Sequence, residues 1–292
     1  MTQREIAEQA IHAALSVRSA SRVGLTEALC PYDLAEKLGV EVRFAEIPSL
    51  EGMFVNREEP LILLGAHRPP GRQAYTCAHE LGHHHFGHGT RVDELREHDA
   101  SRRDDPEEYA ANCFGAFLLM PKMAVTTGLR RRGTDPRQPS AAAVYATASW
   151  LGVGFRALAT HLHASLRMID AGQADSLRRT DLRRLRASLA GCDREADVVV
   201  VDQHWIGRPV DIATDQLVVV PASVRPESDH LREVCRDNQR AVLSPVRPGI
   251  DRLVCSASGW AGFVRVRRER YVGRSTFRHL EDPEYDESAH RH

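Results

Sequence analysis

Lysine is nearly absent from this sequence: Lys37 and Lys122 are the only two, and arginine supplies the rest of the 39 basic residues. Beside the many alanines, this reads as the codon bias of a GC-rich genome, so the arginines as a class carry no functional meaning. Net charge is also scarce, at −1 over 292 residues, which removes the global electrostatic footprint of a nucleic-acid- or membrane-binding protein. Long apolar runs are missing. None approaches the roughly 18 residues of a membrane span, and the N-terminal "MTQREIAEQAIHAALSVRS" carries acids early, with no apolar core of signal-peptide length. The expectation is a soluble, cytoplasmic protein. The six cysteines (Cys30, Cys77, Cys113, Cys192, Cys235 and Cys255) include no C-x-x-C pair, which excludes a cysteine zinc site and a disulfide framework.

What remains is ordinary for a globular protein: 42% hydrophobic and 27% charged residues. Residues 3–18 have helical apolar spacing. A second helix follows "CPYD" and stops at Gly39. The runs "VEVRFAEI", "GMFV" and "PLILLG" predict short strands. After the breaker "HRPPG", residues 71–87 form one helix. Residues 90–105 are charged and without period, which predicts a surface loop. Pro106 opens a helix that Pro121 closes, and "RRRGTDPRQPS" reads as a linker. Ser140 caps the first member of a helix pair spanning 140–169, and residues 175–190 read as one further helix, basic on one side. From "ADVVVVD" onward the chain is β-rich. The expected architecture is α+β, with one domain over 1–170, a helical connection over 171–190 and a smaller β-rich α+β domain over 191–292.

The stretch "AYTCAHELGHHHFGHG", from Ala74 to Gly89, concentrates five of the fifteen histidines. His79 and His83 bracket Glu80 as H-E-x-x-H. Residues i and i+4 of a helix lie ~40° apart and one turn up, so both imidazoles reach one metal ion. Glu80, the next position round, is placed to take a proton from water rather than to bind the metal. The pattern alone also occurs on exposed polar helices, so the third ligand decides. An extended metzincin pattern needs glycine at position 86 and histidine at position 89, where this chain has Phe86 and Gly89. The alternative is an acid from a second helix. The helix at Pro106 offers Glu107 and Glu108. Glu108, Ala111, Asn112 and Gly115 follow one strip, and its small residues, like Ala78 and Gly82 on the first helix, permit close packing. Phe114, Leu118 and Leu119 would face the core.

"AHELGHHHFGH" followed by "EYAANCFGAFLLMP" resembles the ImmA/IrrE family of zinc metallopeptidases, whose pattern is H-E-x-x-H and then E-x-x-A-N-x-F-A-x-x-L-L-M-P. Gly115 stands where the family usually has alanine. The resemblance extends to "DLAEKLGVEVRF…EGMFV" and "YATASWLGVGFRALATHLHASLRMI", over roughly residues 25–170. It selects Glu108 over Glu107 and implies a mainly helical, zincin-like domain with a short sheet. The implied site is of the His2Glu, gluzincin-like kind: Zn2+ on His79, His83 and Glu108, with Glu80 as general base. The implied partner is a protein substrate, usually a helix-turn-helix repressor cut at one site to release transcription, in regulation or a stress response.

Peptide hydrolysis also wants a donor for the tetrahedral oxyanion. Tyr145, His161 and His163 are candidates. His161 is preferred because it falls where the family usually carries arginine. Cys77 reads as a buried thiol, and His84, His85 and His88 as surface residues or supports of the ligands. Asp93 or Glu94 could accept the second N–H of a metal-bound histidine. Two other classes of function are carried alongside the peptidase. One is a non-hydrolytic regulator with a structural zinc domain and a signal- or partner-binding C-terminal domain. The other is a transcription factor reading DNA through residues 140–190, although that region lacks a dense basic recognition face. The substrate, the activating signal and the oligomeric state have no counterpart in the sequence.

Overall fold

The computed structural model describes residues 1–94, 105–191 and 195–280. Helix α1 (Gln3–Ala20) begins at a capping box in which Thr2 and Glu5 satisfy each other's backbone N–H groups. Helix α2 (Pro31–Lys37) has Pro31 in its first turn. Strands β1 (Glu41–Ala45), β2 (Leu50–Val55) and β3 (Leu61–Gly65) follow, and then α3 (Pro70–Phe86), β4 (Arg91–Glu94) and α4 (Pro106–Leu119). The first sheet has the order β13-β1-β3-β2-β4, with β13 at Gly273–Arg274. Here β1 and β3 run parallel, and β2 is antiparallel to both β3 and β4.

The sheet and α4 enclose α3. Helix α3 packs on β2 and β3, and α4 packs on both α3 and α1. Arg18, fully buried near the end of α1, donates Nη1 to the Leu118 carbonyl at 2.6 Å and Nη2 to the Gly24 carbonyl at 2.7 Å. It thereby satisfies a carbonyl left over at the end of α4. Phe114, Leu118 and Leu119 of α4 are in the core, as the spacing predicts.

The chain continues through α5 (Lys122–Arg131), α6 (Ala141–Leu151), α7 (Phe155–Ala164), α8 (Ala171–Arg178) and α9 (Leu182–Ala190). Two expectations change here. Pro121 ends α4 but also stands at the N-cap of α5, whose last two residues, Arg130 and Arg131, fall within the expected linker. Residues 175–190 are two helices rather than one, because Asp181 accepts from the Arg183 and Arg184 amides and starts α9 afresh. The surface loop expected over 90–105 begins with β4, and residues 95–104 lie outside the described residues.

Two four-stranded sheets follow. One has the order β5-β7-β10-β9, from β5 (Asp197–Val200), β7 (Gln216–Pro221), β10 (Arg240–Pro245) and β9 (Leu231–Arg236). The other has the order β6-β12-β11-β8, from β6 (Val210–Ala213), β12 (Trp260–Arg267), β11 (Gly249–Cys255) and β8 (Arg225–Pro226). Strand β13 then pairs antiparallel with β1, so the chain returns to the first sheet. The fold is α+β. No helix among the described residues is long and apolar enough to cross a membrane.

Charged side chains join the C-terminal strands to the helical part. Arg265 of β12 takes both Asp211 of β6, at 2.7 Å, and Asp33 of α2, at 2.9 Å. Arg278 reaches the same two carboxylates at 3.0 and 3.1 Å.

Candidate metal centre

Helix α3 is set by punctuation. Pro69 and Pro70 open it, where a missing N–H costs nothing, and Gly87 closes it at φ +66°. That left-handed conformation suits glycine. Between these ends, residues 76–83 are buried without a break. His79, Glu80 and His83 are at most 5% exposed, which is unusual for charged or ionisable side chains unless they have partners.

Close approach of α4 supplies the partner. A Cβ at Gly82 would lie 2.9 Å from the Ala111 Cα, and one at Gly115 would lie 2.9 Å from the His79 amide nitrogen. Ala111 is buried and Asn112 is exposed, so Glu108, Ala111 and Gly115 form the packed strip and Asn112 leaves it. The contact brings Glu108, 7% exposed, over the two histidines.

His79 Nε2 and His83 Nε2 are 3.1 Å apart. Glu108 Oε2 is 3.5 Å from the first and Oε1 is 3.6 Å from the second. Donor atoms about 2.0–2.1 Å from a tetrahedral ion are separated by ~3.3 Å, so the three donors fit one ion. Two ring nitrogens and a carboxylate are also a suitable donor set for zinc or a similar divalent metal. Among the described residues this group has three members.

The neighbouring acid is used differently. Glu107 forms an ion pair with Arg91 of β4, and Asp105, the N-cap of α4, lies 3.8 Å from the same guanidinium. The two glutamates left open by spacing thus face different ways. Glu80 faces β2, where Gly52 makes room: a Cβ there would lie 2.5 Å from Glu80 Oε1 and 2.3 Å from Thr76 Cγ2.

His83 Nδ1 lies 2.8 Å from His88 Nδ1. Because Gly87 turns the chain back, a residue beyond the helix end supports one inside it. The side chains of Asp93 and Glu94, suggested for that task from the sequence, lie outside the described residues. Burial, with Arg91 nearby, lowers the pKa of His88 below its ordinary value. His84 is half-buried and His85 is exposed, stacked on Phe114. Cys77 is fully buried, and that burial pushes its thiol well above the usual range, consistent with a packing role.

The three oxyanion candidates are engaged elsewhere. His161 is buried, its Nε2 is 3.0 Å from the Met120 carbonyl, and its ring meets Phe117 edge-on. Burial lowers its pKa to about 4, against the raising effect of the Met120 bond, which keeps the ring neutral. Tyr145 donates to the Val198 carbonyl at 2.8 Å, and His163 Nδ1 is 3.1 Å from the Ile169 carbonyl.

An α+β framework with two histidines one helical turn apart and a facing glutamate has the makings of a metallohydrolase. Residues 35–169 match the family model Peptidase_M78, described as IrrE N-terminal-like domain, which supports the ImmA/IrrE resemblance over this part of the chain. Its fold is zincin-like. The match contains α3, β4 and α4, and with them His79, Glu80, His83 and Glu108. It supports a metallopeptidase and a protein substrate. No curated protein matches the chain.

Proposed function

We propose that the chain is a zinc-dependent endopeptidase making limited, site-specific cuts in a regulatory protein. The observation that carries the reading is the convergence of three buried donors at 3.1–3.6 Å, with Glu80 in the adjacent helical position. His79, His83 and Glu108 would hold the metal. Among the described residues the set has three members, the protein-ligand number of a catalytic zinc site, where a structural one uses four. Held by these residues, zinc would supply Lewis-acid chemistry, polarising a carbonyl and lowering the pKa of water toward ~7.

The residues of the chain supply the rest. Glu80 takes a proton from the attacking water and returns it to the departing amine nitrogen. Gly52 leaves its carboxylate room above the strand. If His83 Nε2 holds the metal, its Nδ1–H would donate to His88 Nδ1, 2.8 Å away, and this would fix the tautomer. We place His161 as an anchor for the Met120 carbonyl at the end of α4 rather than as an oxyanion donor, because its Nε2 is already engaged. The restriction to a repressor of the helix-turn-helix kind, and the setting of transcription or stress, rest on the family resemblance alone. The segment 191–292 is proposed as a unit that receives a signal or partner.

The test compares new protein N-termini in cells expressing the wild type or Glu80→Gln, with zinc content measured in both purified proteins. One or a few N-termini specific to the wild type, with equal zinc in both proteins, are expected. Equal zinc and identical N-termini, including under stress, would remove the hydrolytic reading.

A further inference from the structure

A second site lies away from the histidines. A cavity of about 550 Å³ opens among α2, α3, α6, α7, α9 and the C-terminal strands. That size suits a small organic ligand, for which pockets run from ~300 to 1,000 Å³. Neither His79, Glu80, His83 nor Glu108 lines it. Its apolar wall includes four aromatic rings: Tyr32, Tyr75, Tyr145 and Phe155.

Its charged wall is unbalanced. Of the six lining arginines, Arg156 is exposed, Arg278 is bound to Asp33 and Asp211, Arg186 to Asp197 at 2.5 Å, and Arg72 to Glu51 at 2.8 Å. Arg208 and Arg267 differ. Arg208 donates Nη1 to the Leu29 carbonyl at 3.1 Å and lies 5.2 Å from the centre of the Trp205 ring. Arg267, 7% exposed, donates Nη2 to Gln73 Oε1 at 2.8 Å and lies 5.4 Å from the centre of the Phe44 ring. Among the described residues neither is in ion-pair contact with a carboxylate. Arg208 Nε and Arg267 Nη1 are enclosed without a hydrogen-bond partner. Burial lowers the proton affinity of both guanidiniums. Asp211 acts on both through space, against the burial, but a desolvated cation without a direct ion pair is costly, and an anion in the cavity would offset that cost for both.

We propose that this cavity binds a small organic anion with a flat apolar body, its acidic group held by Arg208 and Arg267 and its body against the aromatic wall. A consequence follows for α3. Pro70, Gly71, Arg72, Ala74 and Tyr75 line the cavity, and Gln73, between them on α3, is the residue that holds Arg267. His79 and His83 lie about one and two turns beyond Tyr75 on the same helix. An anion that draws Arg267 away from Gln73 therefore acts on the helix that carries the histidines. This consequence rests on the metal site proposed above; the binding itself does not.

The test uses the full chain and 8-anilinonaphthalene-1-sulfonate, a fluorescent aromatic anion, with N-phenyl-1-naphthylamine as its uncharged counterpart. Binding is read by fluorescence titration and located by amide hydrogen exchange. The variants are Arg208→Gln and Ser149→Phe, the second filling the cavity from a half-exposed position on α6. One site per chain is expected, with affinity weaker by about ten-fold or more in each variant and for the uncharged dye. Exchange should slow in residues 70–75 and 145–156. Equal affinity across proteins and dyes, protection elsewhere, or no binding to the native wild type would overturn the proposal. Should Arg208→Gln fail to fold by circular dichroism, Ser149→Phe and the exchange map decide.

Discussion

Gly115 of α4 lies directly against the backbone of His79 on α3: a Cβ at residue 115 would stand 2.9 Å from the His79 amide nitrogen and 3.1 Å from the Ala78 carbonyl carbon. Neither contact is with a flexible side-chain end, so relief requires the helices to part. Gly115→Ala is expected to cost ~1–3 kcal/mol in stability and to weaken zinc binding by moving Glu108 away from His79 and His83. Gly89→Ala, where a Cβ meets nothing within 4 Å, is the control. Denaturant titration and zinc affinity of both variants check this. Unchanged zinc affinity in Gly115→Ala would show that the helix spacing does not set the site.

Gly52 stands to Glu80 as Gly115 stands to His79. A side chain at 52 would displace the Glu80 carboxylate or the Thr76 methyl, which are its nearest neighbours, ahead of any of the three metal donors. Gly52→Ala is therefore expected to retain zinc and to lose a large part of the cleavage rate, on the order of 10²-fold, since general-base assistance supplies ~10²–10⁴. Single-turnover cleavage beside metal analysis separates the two effects. Loss of both together would mean that β2 supports the metal donors rather than Glu80.

The three buried donors converge only in the folded chain, so an ion they hold stabilises that state over the unfolded one. Metal removal should lower the melting temperature. A ligand at a hundredfold excess over its dissociation constant contributes ~2.7 kcal/mol, or roughly 5–10 °C for a domain of this size. Melting curves with and without chelator should differ in the wild type and in Glu80→Gln, and coincide in Glu108→Ala.

His161 gives a pH signature unrelated to the metal. Its pKa is about 4 in the fold, against 6.5 as the ordinary value. The unfolded chain binds the proton first, so stability falls as pH drops from about 6.5 to about 4, by up to ~3 kcal/mol, and then levels off. Folding free energies across that window should slope less in His161→Gln. An unaltered slope would assign the acid sensitivity elsewhere.

The carboxylates between the helical part and the C-terminal strands act in a lower window. Burial alone would raise Asp33 and Asp211, but Arg278 and Arg265 outweigh it and hold both below the usual range. Their contribution is present above the ordinary carboxylate value near 4 and is lost as pH falls through the depressed values. Asp211→Asn leaves Arg265 and Arg278 under-compensated and should cost ~3 kcal/mol at neutral pH, measured by denaturant unfolding. A neutral effect would make the cluster dispensable.

Local chemistry made much of this legible. Prolines and glycines mark the ends of α2, α3 and α4, and the spacing of His79, His83 and Glu80 is a property of any helix. Small residues at 82, 111 and 115 announced a close helix contact, but a contact needs a partner, and only the family pattern separated Glu108 from Glu107. Structure adds the physical reason: Arg91, from a strand that the sequence had read as loop, holds Glu107.

What stayed hidden is non-local or double-valued. Pro121 was read as an end, although proline serves equally well ahead of a helix, and Ala124, Val125 and Leu129 already had helical spacing. Asp181 is a capping residue inside a run that otherwise looks continuous. His88 supports His83 only because Gly87 reverses the chain. The Asp33–Arg265 pair joins residues 232 positions apart, and Gly52 reaches Glu80 across a strand-helix contact. No local period encodes such pairings.

The most direct measurement is the zinc content and X-ray absorption spectrum of the purified protein beside Glu80→Gln and Glu108→Ala. The account predicts about one zinc per chain, with two imidazole nitrogens and oxygen ligands but no sulfur. That shell should be the same in Glu80→Gln, and the metal should be lost from Glu108→Ala. Zinc retained without Glu108, or a shell closed by four protein ligands, would contradict it.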